Sequence, residues 1–471
     1  MMKQMLAGLL AGLLLASIAV TPAQAQGQLK LPPYKKVKLK NGMTLLLMEQ
    51  HEVPLISFSL VVKAGSVVDP PGKEGLASVT AGLLRKGTKT RTADQISAEL
   101  DFIGGTLGAG TTADYTSGAA EFVKKDITKG LDLLSDVLLN PQFPQEELTK
   151  LLKQRIDGIK AAKDQAQGVI GNYFNAYLYG SHPYGRPTGG DEQSLAAITR
   201  ADVLKFYQDY YTPSNTILAV VGDFSTSEME KMLGEKLNGW PAKSAPAAAV
   251  PEVAMENGKR LLLVNKPDAT QTFYRVGNVG IARTNRDRVY IDVVNTLFGG
   301  RFTSMLNSEL RIKTGLTYGA GSFFDERKSR GPFVISTFTK NETTEQAIDM
   351  TLEILKRLHE KGITEEELKS AKTYIKGQYP PEIETADQLA ELIAELEFYG
   401  LDEREVNDLY AKIDAMTLAD ARRVINQYYP KDDLVFVLIG KADEIQAMAR
   451  KYAPKVDTKS INDPGFQLKG N

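Results

Sequence analysis

Residues 198–222, ITRADVLKFYQDYYTPSNTILAVVG, return in altered form at residues 416–440 as MTLADARRVINQYYPKDDLVFVLIG. The glycines that end the two runs are Gly222 and Gly440, and three further pairs recur in the same order at nearly the same shift. NGMTLLL from Asn41 resembles NGKRLLL from Asn257, and EELTKLLKQR, with Leu148, resembles EEELKSAKTY, with Leu368. YLYG ending at Gly180 resembles EFYG ending at Gly400. Self-similarity in a fixed order at one period is the mark of a repeated unit.

The chain therefore divides into two similar domains, residues 31–240 and 257–460, joined by a linker at 241–256. Its 471 residues exceed what one hydrophobic core supports, and 42% hydrophobic residues are enough to fill two. The linker, part of GWPAKSAPAAAVPEVAMENG, is rich in Ala and Pro, has no periodic apolar face and reads as semi-extended. Within each half, short β-rich runs (Ile56 to Lys63, Phe333 to Phe338) mix with long amphipathic stretches (Asp126 to Leu139, Thr344 to His359). The two kinds do not strictly alternate, which favours an α+β fold over a doubly wound one. The expectation is a largely antiparallel sheet packed with helices in each domain, the two forming a clamp around a cleft.

The first residues differ from the rest. Lys3 precedes an apolar run from Met5 to Val20, and Ala23 and Ala25 form a small-x-small pattern, so residues 1–25 read as a signal peptide cut after Ala25. Without any cysteine the protein depends on no disulfide, and a periplasmic location is expected. No later segment is apolar enough to span a bilayer, so no membrane partner is expected. Fifty-seven basic against 58 acidic side chains, a net charge of -1, give no electrostatic reason to expect nucleic acid.

Local chemistry is sparse. The three histidines, His51, His182 and His359, lie far apart in the chain and form no i, i+4 pair, so no local histidine zinc motif can be built. There is no thiol and no Gly-x-Ser-x-Gly elbow. GGTLGAG, Gly104 to Gly110, lacks the Lys-Ser/Thr of a nucleotide loop and reads as a strand opened for close backbone approach.

One stretch nevertheless has the outline of a metal helix: GLASVTAGLLRKGT, Gly75 to Thr88. With its surroundings, from Ala64 to Thr92, it resembles the pitrilysin or insulinase-type zinc peptidases of the mitochondrial-processing-peptidase branch. In that family the helix reads Gly-Leu-Ala-His-x-x-Glu-His-x-x-x-Lys-Gly-Thr, with two zinc ligands and a glutamate that activates water. Here the histidines fall on Ser78 and Gly82 and the glutamate on Ala81. The third ligand, a glutamate on a later helix, falls on Gly158 in LLKQRIDGIKAAKDQ. All four positions are non-ligating, so no metal is expected in this chain, and Leu76, Val79 and Leu83 are expected to form an ordinary core face.

The resemblance extends over nearly the whole mature chain. LYGSHPYGRPTGG from Leu178 and YYTPSNTILAVVGDF from Tyr210 look like pieces of the family's first domain. LFGGRFTSMLNSELRIKTGLTYGAGS from Leu297 looks like the hallmark of its second. There the family carries an arginine and a tyrosine seven residues apart that contact the substrate backbone and the oxyanion, and this chain has Arg311 and Tyr318. A guanidinium and a phenol both donate to a developing negative charge. Gly315, Gly319 and Gly321 around the tyrosine allow close backbone approach, with Gly315 and Gly319 expected to bind substrate, and the segment Gly104 to Thr112 is expected to form a wall of the chamber.

The resemblance implies the non-zinc subunit of a heterodimeric peptidase. Zinc is expected in a homologous partner subunit, and extended or unfolded peptides as substrates. The alternative is a catalytically inactive peptide-binding or scaffolding homologue, either a homodimer or a structural subunit of a larger assembly.

Overall fold

The computed structural model describes residues 29–253 and 257–468; the signal peptide expected at 1–25 lies outside the described residues. Two six-stranded sheets carry the fold. The first is built from β1 (Lys35–Lys38), β2 (Thr44–Glu49), β3 (Leu55–Val62), β4 (Thr106–Thr111), β5 (Thr116–Val123) and β6 (Thr216–Gly222), in the order β1-β2-β6-β3-β5-β4. The second uses β7 (Arg260–Asn265), β8 (Gln271–Val279), β9 (Ala320–Phe324), β10 (Pro332–Lys340), β11 (Val435–Gly440) and β12 (Lys455–Ser460), in the order β12-β7-β11-β8-β10-β9.

Five strands repeat position for position, β2 through β6 matching β7 through β11. In both halves the first and last of the five pair in parallel and the remaining neighbours are antiparallel. The sixth strand breaks the symmetry: β1 comes from before the repeat and pairs antiparallel, whereas β12 comes from after it and pairs parallel.

The opening stretch shows why the repeat folds the same way twice. Thr199 and Thr417 each cap a helix, Arg200–Tyr210 and Leu418–Tyr428, with a reciprocal bond to an aspartate three residues on, Asp202 and Asp420. Each helix leads into a strand that is buried along its whole length, β6 and β11. At the end of β6, Gly222 has φ +146°, and a Cβ there would lie 2.2 Å from the Leu55 carbonyl oxygen of β3. Only glycine suits both demands.

A strand buried on both faces needs two covers. Leu218 and Val220 of β6 face the core of their own half, with Leu83 and Phe122. Ile217, Ala219 and Val221 face the other way, into a cluster with Leu389, Ile393 and Ala394 of the helix Ala386–Tyr399, which belongs to the second half of the sequence. The exchange is reciprocal: Val437 and Ile439 of β11 pack with Val169, Ile170 and Phe174 of the helix Ala166–Tyr179, from the first half. These two helices end in the YLYG and EFYG repeats. The linker joins this packing, since Val250 and Val253 lie in the same cluster and the Pro251 carbonyl contacts the His182 ring at 3.0 Å. No described helix is long and apolar enough to cross a membrane.

Candidate active-site surface

The helix Leu76–Leu83 starts at Gly75, which takes the left-handed conformation (φ +94°). Its first turn is held by Asp69, whose carboxylate accepts from the Gly75 and Ala77 amides at 2.8 Å each. Leu76, Val79 and Leu83 are buried, as their spacing predicts. Asp69 is itself buried, and desolvation pushes its carboxyl up to about 7 even though both amide donors favour the charged form. The folded protein then holds this proton more tightly than the unfolded chain. Stability conferred at acid pH is therefore lost as the pH rises from about 4 to about 7. Asp69→Asn carries no such proton, and the wild type minus the variant should show a negative slope of at most about 1.4 kcal/mol per pH unit in that window. Chemical denaturation across the range measures it; parallel profiles would exclude the effect.

Ser78 is half-buried, Ala81 is buried and Gly82 half-buried. Gly158, on the neighbouring helix Gln145–Lys163, is exposed, with no neighbouring atom within 4 Å of where a Cβ would stand. None of the four side chains offers a zinc donor set. The space against Gly82 holds a guanidinium instead. Arg155 donates from Nη1 to Ser78 Oγ at 2.8 Å and from Nη2 to the Ser78 carbonyl at 2.9 Å. Its Nη2 lies 2.9 Å from the place a Gly82 Cβ would take. A cation of the protein's own thus sits at the second histidine position, and zinc does not fit this arrangement. Among the described residues no group of three or more His, Cys, Asp or Glu could hold a metal ion. His51 pairs with Asp223 at 2.7 Å, His182 Nδ1 accepts from the Tyr184 amide, and His359 lies on the helix Thr344–Lys361.

In the second half, Arg311 lies in a π-helical turn, Ser308–Lys313, a geometry often found at functional positions. Its guanidinium stacks over the exposed Phe302 ring, 4.9 Å from the centroid. The nearby Glu309 is engaged by Lys313 at 3.1 Å and Arg357 at 2.9 Å, and no described carboxylate pairs with Arg311. Tyr318 follows in the loop before β9 and is 80% exposed. The loop is pinned from beneath: Thr337 Oγ1 donates to the Gly319 carbonyl at 2.9 Å, and the Gly319 amide donates to Thr317 Oγ1 at 3.1 Å. The anchored backbone holds the tyrosine outward.

The three glycines differ in their surroundings within the chain. Close approach occurs only at Gly321, where an added Cβ would lie 3.0 Å from the Gly299 carbonyl oxygen. Gly315 serves a turn with φ +64°, and Gly319 borders open space. In the first half, GGTLGAG becomes a helix cap at Gly104 followed by β4, the outermost strand of its sheet. A Cβ at Gly108 would meet nothing within 4 Å, so the face of the strand is open there, while Arg85 donates to the Leu107 carbonyl of the same strand at 2.8 Å.

The two-domain α+β fold, with its duplicated sheet, defines the class of protein, and comparison with known proteins supports that fold and places the family. Residues 45–192 match the insulinase (peptidase family M16) domain, and residues 197–375 match the peptidase M16 inactive domain. An uncharacterized zinc protease of Rickettsia bellii is 30% identical over 349 residues, covering 72% of this chain and 81% of that protein. One from Bacillus subtilis is 25% identical, covering 84% and 96%. A peptidase M16 inactive domain from Pseudomonas fluorescens superposes with a TM-score of 0.82 at 25% identity, covering 87% of this chain and 98% of that one. A protease from Helicobacter pylori shares the fold, with a TM-score of 0.82 at 23% identity over 87% of this chain and all of that one (100%). The chain belongs to the M16, or insulinase, peptidase family.

Arg155 was not singled out by sequence reasoning. The only hint in the sequence is an arginine three residues before the lost ligand at Gly158, and its partner Ser78 lies 77 residues away.

Proposed function

We propose that this protein is the non-zinc subunit of a heterodimeric zinc metallopeptidase that works in the periplasm on extended or unfolded peptides. The observation that carries the reading is the state of Arg311 and Tyr318. The half-buried Arg311 guanidinium has no described carboxylate partner and stacks on an exposed ring, and the phenol on its pinned loop is 80% exposed, so both retain donors for a molecule other than this chain. Metal chemistry in such a complex belongs to the homologous partner. The residues here would bind the substrate backbone and donate to the carbonyl oxygen as negative charge develops on it. Exposed Phe302 and Ile312 give the same surface an apolar rim. The outermost strand, β4, would take an extended peptide as an added strand, which gives affinity with little demand on sequence.

Gentle purification of the tagged chain from its own cells tests this. Recovery of a stoichiometric homologue carrying the His-x-x-Glu-His helix, together with zinc and chelator-sensitive peptidase activity, is the expected result. Recovery of this chain alone, without metal or activity, would favour a binding or scaffolding homologue.

A further inference from the structure

We propose that the first half holds a site for the C-terminal residue of a peptide, in which Arg155 receives the terminal carboxylate and an adjoining cavity receives an apolar side chain. The site stands where a metal centre does not fit. Of the five N–H groups of a guanidinium, Arg155 spends one on the Ser78 hydroxyl and one on the Ser78 carbonyl, both neutral acceptors. No described carboxylate forms an ion pair with it, although the side chain is half-buried. A half-buried cation with only neutral acceptors keeps its attraction for an anion, and a carboxylate can take two parallel N–H donors from one guanidinium.

Gly82 connects this cation to the cavity. Its would-be Cβ points at Arg155, and Gly82 with Ala81 also forms one wall of a cavity of about 210 Å³. Leu60, Leu107, Ala120 and Val137 make the other walls apolar. Arg85 stands at the same cavity, donates to the Leu107 carbonyl at 2.8 Å and has no described carboxylate partner, so a second positive charge borders the site. A space of this size suits one leucine-like side chain. Beyond the Leu107 carbonyl, which Arg85 holds, the outermost strand β4, with Ala109 at the cavity, offers backbone partners to a peptide arriving in extended form. An apolar residue carrying a free carboxylate on an extended chain satisfies all three features together.

The site lies in this chain alone and does not depend on a zinc-bearing partner. Binding of labelled peptides to the purified full chain, measured by fluorescence anisotropy, tests it. A leucine-ended peptide with a free carboxylate should bind about tenfold more tightly than its C-terminal amide. Arg155→Met should abolish that preference, and Arg155→Lys, which keeps the charge, should retain part of it. Ala109→Leu, at an exposed position, should weaken leucine-ended but not glycine-ended peptides. Equal binding of acid and amide by the wild type, or no binding of either, overturns the proposal without any mutant having to fold. So does an Arg155→Met protein of native circular dichroism that keeps the preference. Failure here would leave the paired-subunit reading intact, since that reading rests on co-purification and on Arg311 and Tyr318.

Discussion

In the heterodimeric peptidase proposed above, replacing Arg311 with alanine is expected to lower kcat/KM by about 10²-fold while leaving assembly and the fold unchanged. The half-buried side chain stacks on Phe302, an exposed ring, and forms no ion pair with a described carboxylate, so its removal strands no buried charge partner. The loss therefore falls on what the guanidinium meets outside the chain. A donor that strengthens as charge develops on a carbonyl oxygen contributes to the transition state, so kcat should fall; one that only holds the peptide backbone should raise KM. Steady-state kinetics on the purified complex, with size-exclusion chromatography as the check on assembly, separate these outcomes. Kinetics identical to wild type in an intact complex would remove Arg311 from the site.

Phe174→Ala should destabilise the protein by about 3–5 kcal/mol, and the loss should be felt by both halves at once. Phe174 is fully buried in the exchanged helix Ala166–Tyr179, in one cluster with Leu262, Val264, Val437 and Ile439 of the second sheet. Ile393 has the corresponding role in the helix Ala386–Tyr399, buried with Leu46, Val61 and Ile217 of the first sheet. Because each sheet is covered by a helix from the other half, neither half keeps a complete core when the two separate. Calorimetry should show a single transition that moves as a whole in Phe174→Ala. Two transitions, only one of them shifted, would show that the halves unfold independently and that the exchange contributes little.

The exchange also marks where reading the sequence stopped. The repeat at residues 198–222 and 416–440 reveals duplication, and the YLYG and EFYG ends show that the exchanged helices correspond to each other. Nothing in either helix says which sheet it covers. An apolar helix face fits any sheet face of similar width, and the choice is made by contacts between residues far apart in the chain. Arg155 is hidden for the same reason: its meaning lies in its distance from Ser78 and Gly82, and a lone arginine on an amphipathic helix reads as a surface charge.

What the sequence determined by itself was local or repetitive. The duplicated α+β architecture follows from order and period, the absence of ligating side chains at Ser78, Ala81, Gly82 and Gly158 from the resemblance to the family's metal helix, and the buried face of Leu76, Val79 and Leu83 from helical spacing. Tertiary structure decided that the halves interlock, that β4 is the outermost strand of its sheet and that Arg155 occupies the space against Gly82. It also decided that Tyr318 is exposed and that the half-buried Arg311 stacks on Phe302 with no described carboxylate partner. Composition and spacing report what a segment can bury or ligate. Which surfaces meet, and which charges are left without a partner, depends on long-range packing that no single segment encodes.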